Sequence, residues 1–147
     1  MVVAYAYFDT SALIKRYINE SGRREVLQLL RKNDCVVSAV LPVEIRSALR
    51  RRVAEGSLDT RRVAGIVKRV TADRAFWTVV EVSGEVLAAA ETLSAGHPLR
   101  ALDAIHVASA QLFAARVVSS ALIFVSADIR QTTAAAALGM AIRQIES

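Results

Sequence analysis

The feature that most constrains the fold is an apolar, aromatic-rich run near the N-terminus that ends abruptly in an acid. Residues 2–8 read Val-Val-Ala-Tyr-Ala-Tyr-Phe, and Asp9, Thr10 and Ser11 follow at once, before what reads as a helix capped by Thr10 or Ser11. Such a short, continuous apolar run is typical of a strand buried on both faces of a parallel sheet. Asp9 then lies at the carboxyl edge of the sheet, where α/β proteins bind their ligands.

The rest of the chain alternates strands with helices. Short β-branched or aromatic runs predict further strands at 35–38, 76–82, 122–125 and 141–145. Capping residues and helical spacing predict helices at 11–18, 23–32, 42–55, 59–70, 83–96, 102–117 and 129–138. This alternation predicts one α/β domain over residues 1–147, with a mainly parallel central sheet and helices on both of its faces.

Composition narrows the class of protein. Hydrophobic residues make up 54% of the chain, yet no uncharged apolar run approaches the length of about 18 residues that a membrane helix needs. No basic segment precedes the first apolar run, so we expect no signal peptide. The single cysteine, Cys35, cannot form an internal disulfide and fits a reducing cytoplasm. The high apolar content also indicates surface kept for a partner, so we expect a homodimer or a bound regulator.

Positive charge is concentrated in one segment. The whole chain carries a net charge of +5, and residues 46–74 contain nine cations against three acids. A concentration of this kind favours association with nucleic acid. A solvated helical face has the same appearance, so charge alone leaves both interpretations open.

Three acids are candidates for a functional site. Asp9 and Asp128 each follow an apolar strand, and if those strands are neighbours the two carboxylates lie a few ångströms apart. Like charges that close together favour a bound cation, and a divalent metal ion is the simplest one. Asp103 lies in the first turn of a very apolar helix, where a buried charge needs a partner. The alternative for Asp103 is a favourable interaction with the helix dipole.

Further polar residues accompany these acids. Glu44 lies in the first turn of its helix and, taken alone, is explained by the helix dipole. We expect His106 to be a packing histidine that holds a carboxylate or a backbone group, in preference to a metal ligand or general base. Ser11 and Ser126 each lie two residues from an acid, so either can orient a carboxylate or a metal-bound water. For Ser11 the role of helix cap is preferred.

Together these motifs resemble a known family. The motifs are Phe8-Asp9-Thr10-Ser11-Ala12-Leu13, Glu44, Leu102-Asp103-Ala104-Ile105-His106-Val107-Ala108, Phe124-Val125-Ser126-Ala127-Asp128 and Ala135-Ala136-Ala137-Leu138-Gly139. In this order and spacing they closely resemble the PIN-domain ribonucleases, in particular the VapC-type toxins of toxin–antitoxin pairs. The resemblance covers essentially the whole chain.

The resemblance carries specific implications. It implies a three-layer α/β/α fold with a central parallel sheet of four to five strands. It also implies a Mg²⁺ or Mn²⁺ site in which Asp9, Glu44 and Asp103 are the core acids and Asp128 is the fourth. The expected activity is endoribonuclease cleavage of RNA, with tRNA among the candidate targets, leaving a 5′-phosphate and a 3′-hydroxyl. The expected partner is a VapB-like antitoxin.

One segment departs from the family pattern. Many relatives have a further acid or asparagine shortly after the fourth acid, whereas residues 129–132 here read Ile-Arg-Gln-Thr. The number of metal ions is therefore left open. Oxygen ligands suit Mg²⁺ or Mn²⁺, and the chain has no cysteine–histidine cluster for zinc. Arg46 and Arg50 share the helix of Glu44, so we expect them to flank the pocket and contact the RNA backbone.

Two other functions compete with this one. The first is a catalytically silent module of the same fold that binds RNA or a protein partner. The second is a phosphatase that uses Asp9 as a nucleophile. Enzymes of the haloacid-dehalogenase type usually place a second aspartate two residues after the first, and that position here is Ser11.

Overall fold

A computed structural model of the chain describes residues 3–117 and 121–147. Its strands are β1 (Ala4–Phe8), β2 (Asp34–Ser38), β3 (Thr78–Val80), β4 (Ala121–Ser126) and β5 (Ala141–Gln144). They form one sheet in the order β3-β2-β1-β4-β5, and every pairing in it is parallel. Val2, part of the predicted first strand, lies outside the described residues. The central strand is therefore β1, the strand that delivers Asp9.

The helices connect these strands in the predicted order, with two differences. They are α1 (Thr10–Leu13), α2 (Arg23–Lys32), α3 (Leu41–Ala54), α4 (Val63–Asp73), α5 (Gly84–Gly96), α6 (Ala101–Arg116) and α7 (Ile129–Ala137). The helix predicted over 11–18 is only one α-helical turn, continued by a 3₁₀ turn at Ile14–Arg16. The helix predicted over 59–70 begins only at Val63, after a 3₁₀ turn at Thr60–Arg62. The strand predicted at 76–82 is also shorter, because Arg74–Phe76 form another 3₁₀ turn before β3.

Two hydrophobic cores flank the sheet. Neighbouring residues of a strand point to opposite faces, so Phe8 packs in one core while Tyr7 packs in the other. The ring of Tyr7 stacks on that of Phe124 from β4, with centroids 5.5 Å apart. Helices α1–α4 cover the face of Phe8, and α5–α7 cover the face of Tyr7. The predicted three-layer α/β/α fold with a central parallel sheet is confirmed. No helix in the described part of the chain is long and apolar enough to span a bilayer.

The strand-end acids also begin the helices that follow them. Asp9 is the last extended residue after β1, and its Oδ1 accepts a hydrogen bond from the backbone N–H of Ala12 at 3.2 Å. Asp128 caps α7 in the same manner, through the N–H of Arg130. The prediction that Thr10 or Ser11 caps the first helix was wrong, because Thr10 is already helical and Asp9 holds the cap position. Ser83 caps α5 as predicted.

A partly buried acid ties the 3₁₀ turn after α1 to the end of α4. Asp73 accepts hydrogen bonds from the Tyr17 hydroxyl at 2.6 Å and from Arg16 Nε at 2.8 Å. Burial raises the pKa of Asp73, but these hydrogen bonds outweigh burial and hold that pKa below its usual value. The charged carboxylate therefore stabilises the fold.

Asp73→Asn is expected to lower the free energy of unfolding by about 1–2 kcal/mol at pH 7, since hydrogen bonds to a charged group are weakened. A lowered pKa in the folded state contributes stability above the unfolded value near 3.8, and that stability is lost as the pH falls through the folded value. Urea unfolding at pH 7 and pH 3 tests this. The gap between wild type and variant should narrow at pH 3, and an unchanged gap would rule out the charge as the cause.

Candidate active site

A cleft of about 400 Å³ opens at the carboxyl edge of the sheet, as expected for a parallel α/β fold. It is lined by residues that follow β1 and β4, by one face of α3 and by the first turns of α6 and α7. All four predicted acids are among them: Asp9, Glu44, Asp103 and Asp128. The topology therefore brings together acids that are up to 119 positions apart in the chain.

Asp9 lies at the bottom of the cleft and is only 2% exposed. Ser11 Oγ lies 2.8 and 2.9 Å from its two carboxylate oxygens and donates to them. Burial raises the pKa of Asp9, and the hydrogen bonds from Ser11 and Ala12 together with the nearby charge of His106 only partly offset that increase. The site thus keeps a carboxylate whose negative charge is incompletely compensated by its surroundings.

Gln131, a residue that sequence reasoning passed over, joins Asp9 to Asp103. Its Nε2 lies 3.0 Å from Asp9 Oδ2 and 3.0 Å from Asp103 Oδ1, so the amide group donates to both carboxylates. Gln131 is 3% exposed, and its Oε1 has no hydrogen-bond partner among the described residues. A sequence signal existed, because Gln131 lies three positions after the helix-capping Asp128 and so occupies the first turn of α7 at the sheet edge.

Glu44 is held by a buried histidine. Its Oε1 accepts a hydrogen bond from Thr10 Oγ1 at 2.8 Å and lies 2.6 Å from His106 Nε2. The other ring nitrogen of His106, Nδ1, lies 2.8 Å from the hydroxyl of the fully buried Tyr7. Both ring nitrogens are therefore in use, which is the arrangement expected of a packing histidine.

Glu44 and His106 each shift the pKa of the other towards its charged form. Burial lowers the pKa of His106, but the hydrogen bond with Glu44 and the negative charge of Asp9 outweigh burial and raise that pKa above its usual value. Burial also raises the pKa of Glu44, and the hydrogen bond and charge of His106 outweigh it, so this pKa lies below its usual value. When His106 is protonated, it forms an ion pair with Glu44 at the inner wall of the cleft.

The remaining two acids face arginines. Arg130 Nη2 lies 2.7 Å from Asp128 Oδ2 and 3.5 Å from Asp103 Oδ2. Hydrogen bonds from Arg130 hold the pKa of Asp128 below its usual value. Arg100 contributes its backbone N–H and its Nε to Asp103, at 3.2 and 3.4 Å. Strands β1 and β4 are neighbours, as the prediction of converging acids required, but the Asp128 carboxylate pairs with Arg130.

Both predicted serines lie at the base of the cleft. Besides contacting Asp9, Ser11 Oγ accepts from the backbone N–H of Ala127 at 3.0 Å and lies 3.4 Å from Ser126 Oγ. Ser126 Oγ accepts from the N–H of Asp128 at 2.9 Å. These contacts connect the end of β1 to the end of β4 and fix the orientation of the Asp9 carboxylate.

The four acids of the cleft offer the oxygen ligands that a hard divalent cation prefers, but their carboxylates do not converge on one point. Among residues 3–117 and 121–147, no three acidic, histidine or cysteine side chains lie close enough together to hold one metal ion. The cleft does contain Asp9 and Asp103, whose carboxylates are bridged by the NH₂ group of Gln131. It also contains Gln131 Oε1, which has no hydrogen-bond partner among the described residues. Carboxylate and amide oxygens are ligands that Mg²⁺ and Mn²⁺ accept. The metal roles of the four acids stay predictions.

Arginines border the cleft, but they are not the ones predicted. Arg46 and Arg50 line a neighbouring depression with Thr60 and Val63, and this depression shares Ser47 with the cleft. Their predicted contact with RNA stays a prediction. Arg51, Arg52 and Arg100 line the cleft instead. The reason is helical phase: seven residues make almost two full turns, so Arg51 lies on the face of Glu44, whereas Arg46 and Arg50 lie about 160° and 120° away from it round the helix.

Comparison with known proteins identifies the family. The family model for the PIN domain matches residues 6–135, a span that contains all four acids and Gln131. The chain belongs to the PIN domain family. No curated protein sequence matched it as a relative. The family membership confirms the resemblance drawn from the motifs.

Solved structures share this PIN fold at low sequence identity. A toxin-antitoxin complex from Klebsiella pneumoniae is 21% identical, with 86% of this chain and 88% of that chain covered and a TM-score of 0.62. VapBC2 from Rickettsia felis, bound to a DNA fragment from its promoter, is 9% identical over 97% and 99% of the two chains, with a TM-score of 0.62. FitAcB from Neisseria gonorrhoeae is 16% identical over 93% and 95%, with a TM-score of 0.57. At these identities the likeness shows the fold alone.

Proposed function

We propose that this PIN domain is a Mg²⁺- or Mn²⁺-dependent endoribonuclease of the VapC toxin type. The proposal rests mainly on the buried acids Asp9 and Asp103 at the carboxyl edge of the sheet. The NH₂ group of Gln131 bridges their carboxylates, and arginines border the cleft in which they lie. PIN domains are generally nucleases, which supports the same class of reaction. Asp9, Glu44, Asp103 and Asp128 are the proposed metal-binding and catalytic acids.

In this proposal each residue of the cleft has a separate role. A divalent ion would supply Lewis-acid activation of a water molecule and charge neutralisation at the scissile phosphate. Asp9 and Asp103 would hold the ion, and Ser11 keeps the Asp9 carboxylate in one orientation. His106 and Tyr7 hold Glu44 at the wall of the cleft. Arg51 and Arg100 attract the RNA backbone towards the acids, which would otherwise repel it.

Partners follow from the same proposal. The similar solved structures include toxin-antitoxin complexes, which supports a protein antitoxin as the regulator of this chain. We propose a VapB-like antitoxin that covers the cleft, and a homodimer acting in the cytoplasm on RNA, with tRNA among the candidate targets. Residues 1–147 act as one domain in this scheme.

A second function has an observation in its favour. The acids are already satisfied within the described chain: Asp128 by Arg130, Glu44 by His106, and Asp9 and Asp103 by Gln131. A cleft whose acids all have hydrogen-bond partners within the protein suits a catalytically silent PIN module that binds RNA or a partner. Such a module needs no metal ion to keep its fold.

Incubation of the purified chain with end-labelled RNA separates these two functions. The enzyme is expected to cut the RNA in Mg²⁺ or Mn²⁺, to stop in EDTA and to leave 5′-phosphate ends. RNA that is bound but stays intact with every divalent metal tried would favour the silent module and overturn the proposal.

Arg51→Gln is expected to weaken RNA binding about three- to fivefold at moderate salt, because one cation at the cleft no longer meets a phosphate. The slope of log K against log salt should fall by about 0.7 for a single-stranded RNA. Filter binding across a salt series measures both values. Arg46→Gln is the matched control on the same helix, and an equal effect of the two variants would place the RNA outside the cleft.

A further inference from the structure

The side chain of Gln131 lies between Asp9 and Asp103, the two acids that are proposed to hold the metal ion. Its NH₂ group is the hydrogen-bond donor that the two carboxylates share, at 3.0 Å from each. It thus gives the two negative charges a common partial positive charge, although an amide carries no net charge. Gln131 is 97% buried, so solvent does not compete for these contacts.

The distances around this amide match those of a metal ligand. A half-turn about the Cγ–Cδ bond exchanges the two ends of the amide and brings Oε1 to the place that Nε2 now holds. Two ligands at right angles on an octahedral ion with bonds of about 2.1 Å lie about 3.0 Å apart. The nitrogen of Gln131 already lies 3.0 Å from Asp9 Oδ2 and from Asp103 Oδ1. After the half-turn, Oε1 would lie 3.0 Å from each of the two carboxylate oxygens, which is the spacing of adjacent ligands on one Mg²⁺ ion.

The preferred orientation of the amide depends on whether a cation is present. Without a cation, the carbonyl end would face two carboxylates and be repelled, so the NH₂ end is favoured. With a cation between the carboxylates, the preference reverses. The half-turn breaks no hydrogen bond at the far end of the amide, because Oε1 has no partner among the described residues.

We propose that Gln131 is a metal-responsive residue of this site, with its NH₂ group joining Asp9 and Asp103 when no cation is bound and its carbonyl oxygen acting as their fellow ligand when one is. The inference rests on the proposed function being metal-dependent. It also explains why no three acids, histidines or cysteines gather within the described chain: the third ligand of the cluster is an amide.

Gln131→Leu, which keeps the size of the side chain and removes both polar ends, tests the two roles. Without metal, in EDTA at pH 8, the variant should melt about 4 °C below wild type, since two buried carboxylates lose their shared donor. Its Kd for Mn²⁺, measured by calorimetry, should be about tenfold weaker or more, because a ligand is lost. Gln28→Leu, the same change at an exposed position on α2, should alter neither value.

NMR of the wild-type protein tests the rotation without any dependence on a variant that folds. The side-chain NH₂ resonances of ¹⁵N-labelled Gln131 should shift strongly on addition of Mg²⁺, while those of Gln28 should not. An unshifted Gln131 signal in a protein that binds Mg²⁺ would overturn the proposal. So would a Gln131→Leu variant that binds Mn²⁺ as tightly as wild type or more tightly, since the amide would then be only a competitor of the ion.

The failure of this inference can be distinguished from the failure of the proposed function. If wild type binds Mn²⁺ and cuts RNA but Gln131→Leu binds the ion normally, only the role of Gln131 is wrong. If wild type binds no divalent ion and leaves RNA intact, the metal-dependent function fails and the inference fails with it.

Discussion

Asp9→Asn is expected to lower the rate of metal-dependent RNA cleavage about a thousandfold or more, since a metal ion supplies several kcal/mol of transition-state stabilisation. Asp9 lies deepest in the cleft and contacts Ser11, Ala12 and Gln131 at once. An asparagine there keeps the size of the side chain but removes the charge that holds the ion. Single-turnover cleavage of a labelled RNA with Mg²⁺ in excess measures the loss.

The same variant should keep its fold. The pKa of Asp9 is raised in the folded state, so ionisation of this group costs stability as the pH rises from the unfolded pKa towards the folded one. At pH 7 in EDTA, Asp9→Asn should therefore melt at the same temperature as wild type or up to about 3 °C higher. Asp34→Asn, at the exposed start of β2, is the control and should change neither activity nor stability. A clearly lower melting temperature would mean that Asp9 is a structural residue.

His106→Leu is expected to have the largest effect on stability, lowering the free energy of unfolding by about 2–3 kcal/mol. His106 is 1% exposed and bonds both Glu44 and Tyr7, so its loss leaves a carboxylate and a buried hydroxyl without these partners. Chemical denaturation of wild type and variant measures the difference. His97→Leu, at the other histidine of the chain, does not alter the cleft and serves as the control.

The effect of His106→Leu should depend on pH in a defined direction. Because the pKa of His106 is raised in the folded state, its contribution is fully present below the unfolded value near 6.5 and falls as the pH rises through the folded value. The difference between wild type and variant should thus be larger at pH 6 than at pH 9. When both proteins also carry Glu44→Gln, the stability difference caused by His106→Leu should change less between pH 6 and pH 9. Equal differences at both pH values would show that packing, and not the ion pair, is what His106 contributes.

The sequence predicted the fold well because its signals are local. The apolar run before Asp9, the cap at Ser83 and the apolar periodicity of the helices each depend on residues within one or two turns. Parallel pairing and the carboxyl-edge location of Asp9 and Asp128 follow from the alternation of strands with helices. Asp103 was expected in the site because its helix is so apolar, and Glu44 only because of the family resemblance; all four acids line the cleft.

The internal geometry of the cleft was not predictable in the same way. Whether Asp128 faces Asp9 or Arg130 depends on side-chain rotamers across two loops, and no sequence pattern reports them. Gln131 is uncharged and so was not among the predicted acids, although it lies in the first turn of α7, three positions after Asp128. Arg51, seven residues after Glu44, lies on the same helical face as that acid, so helical phase alone predicts it at the cleft.

The central claim is that the Asp9–Asp103 pair holds the divalent ion used in catalysis. The most direct measurement is an anomalous difference map from a crystal of the active protein soaked with Mn²⁺. The account predicts a manganese peak between the carboxylates of Asp9 and Asp103, with the Gln131 side chain turned towards it. A peak bound elsewhere on the chain, or an undisturbed Asp9–Gln131–Asp103 bridge in crystals that cleave RNA, would contradict it.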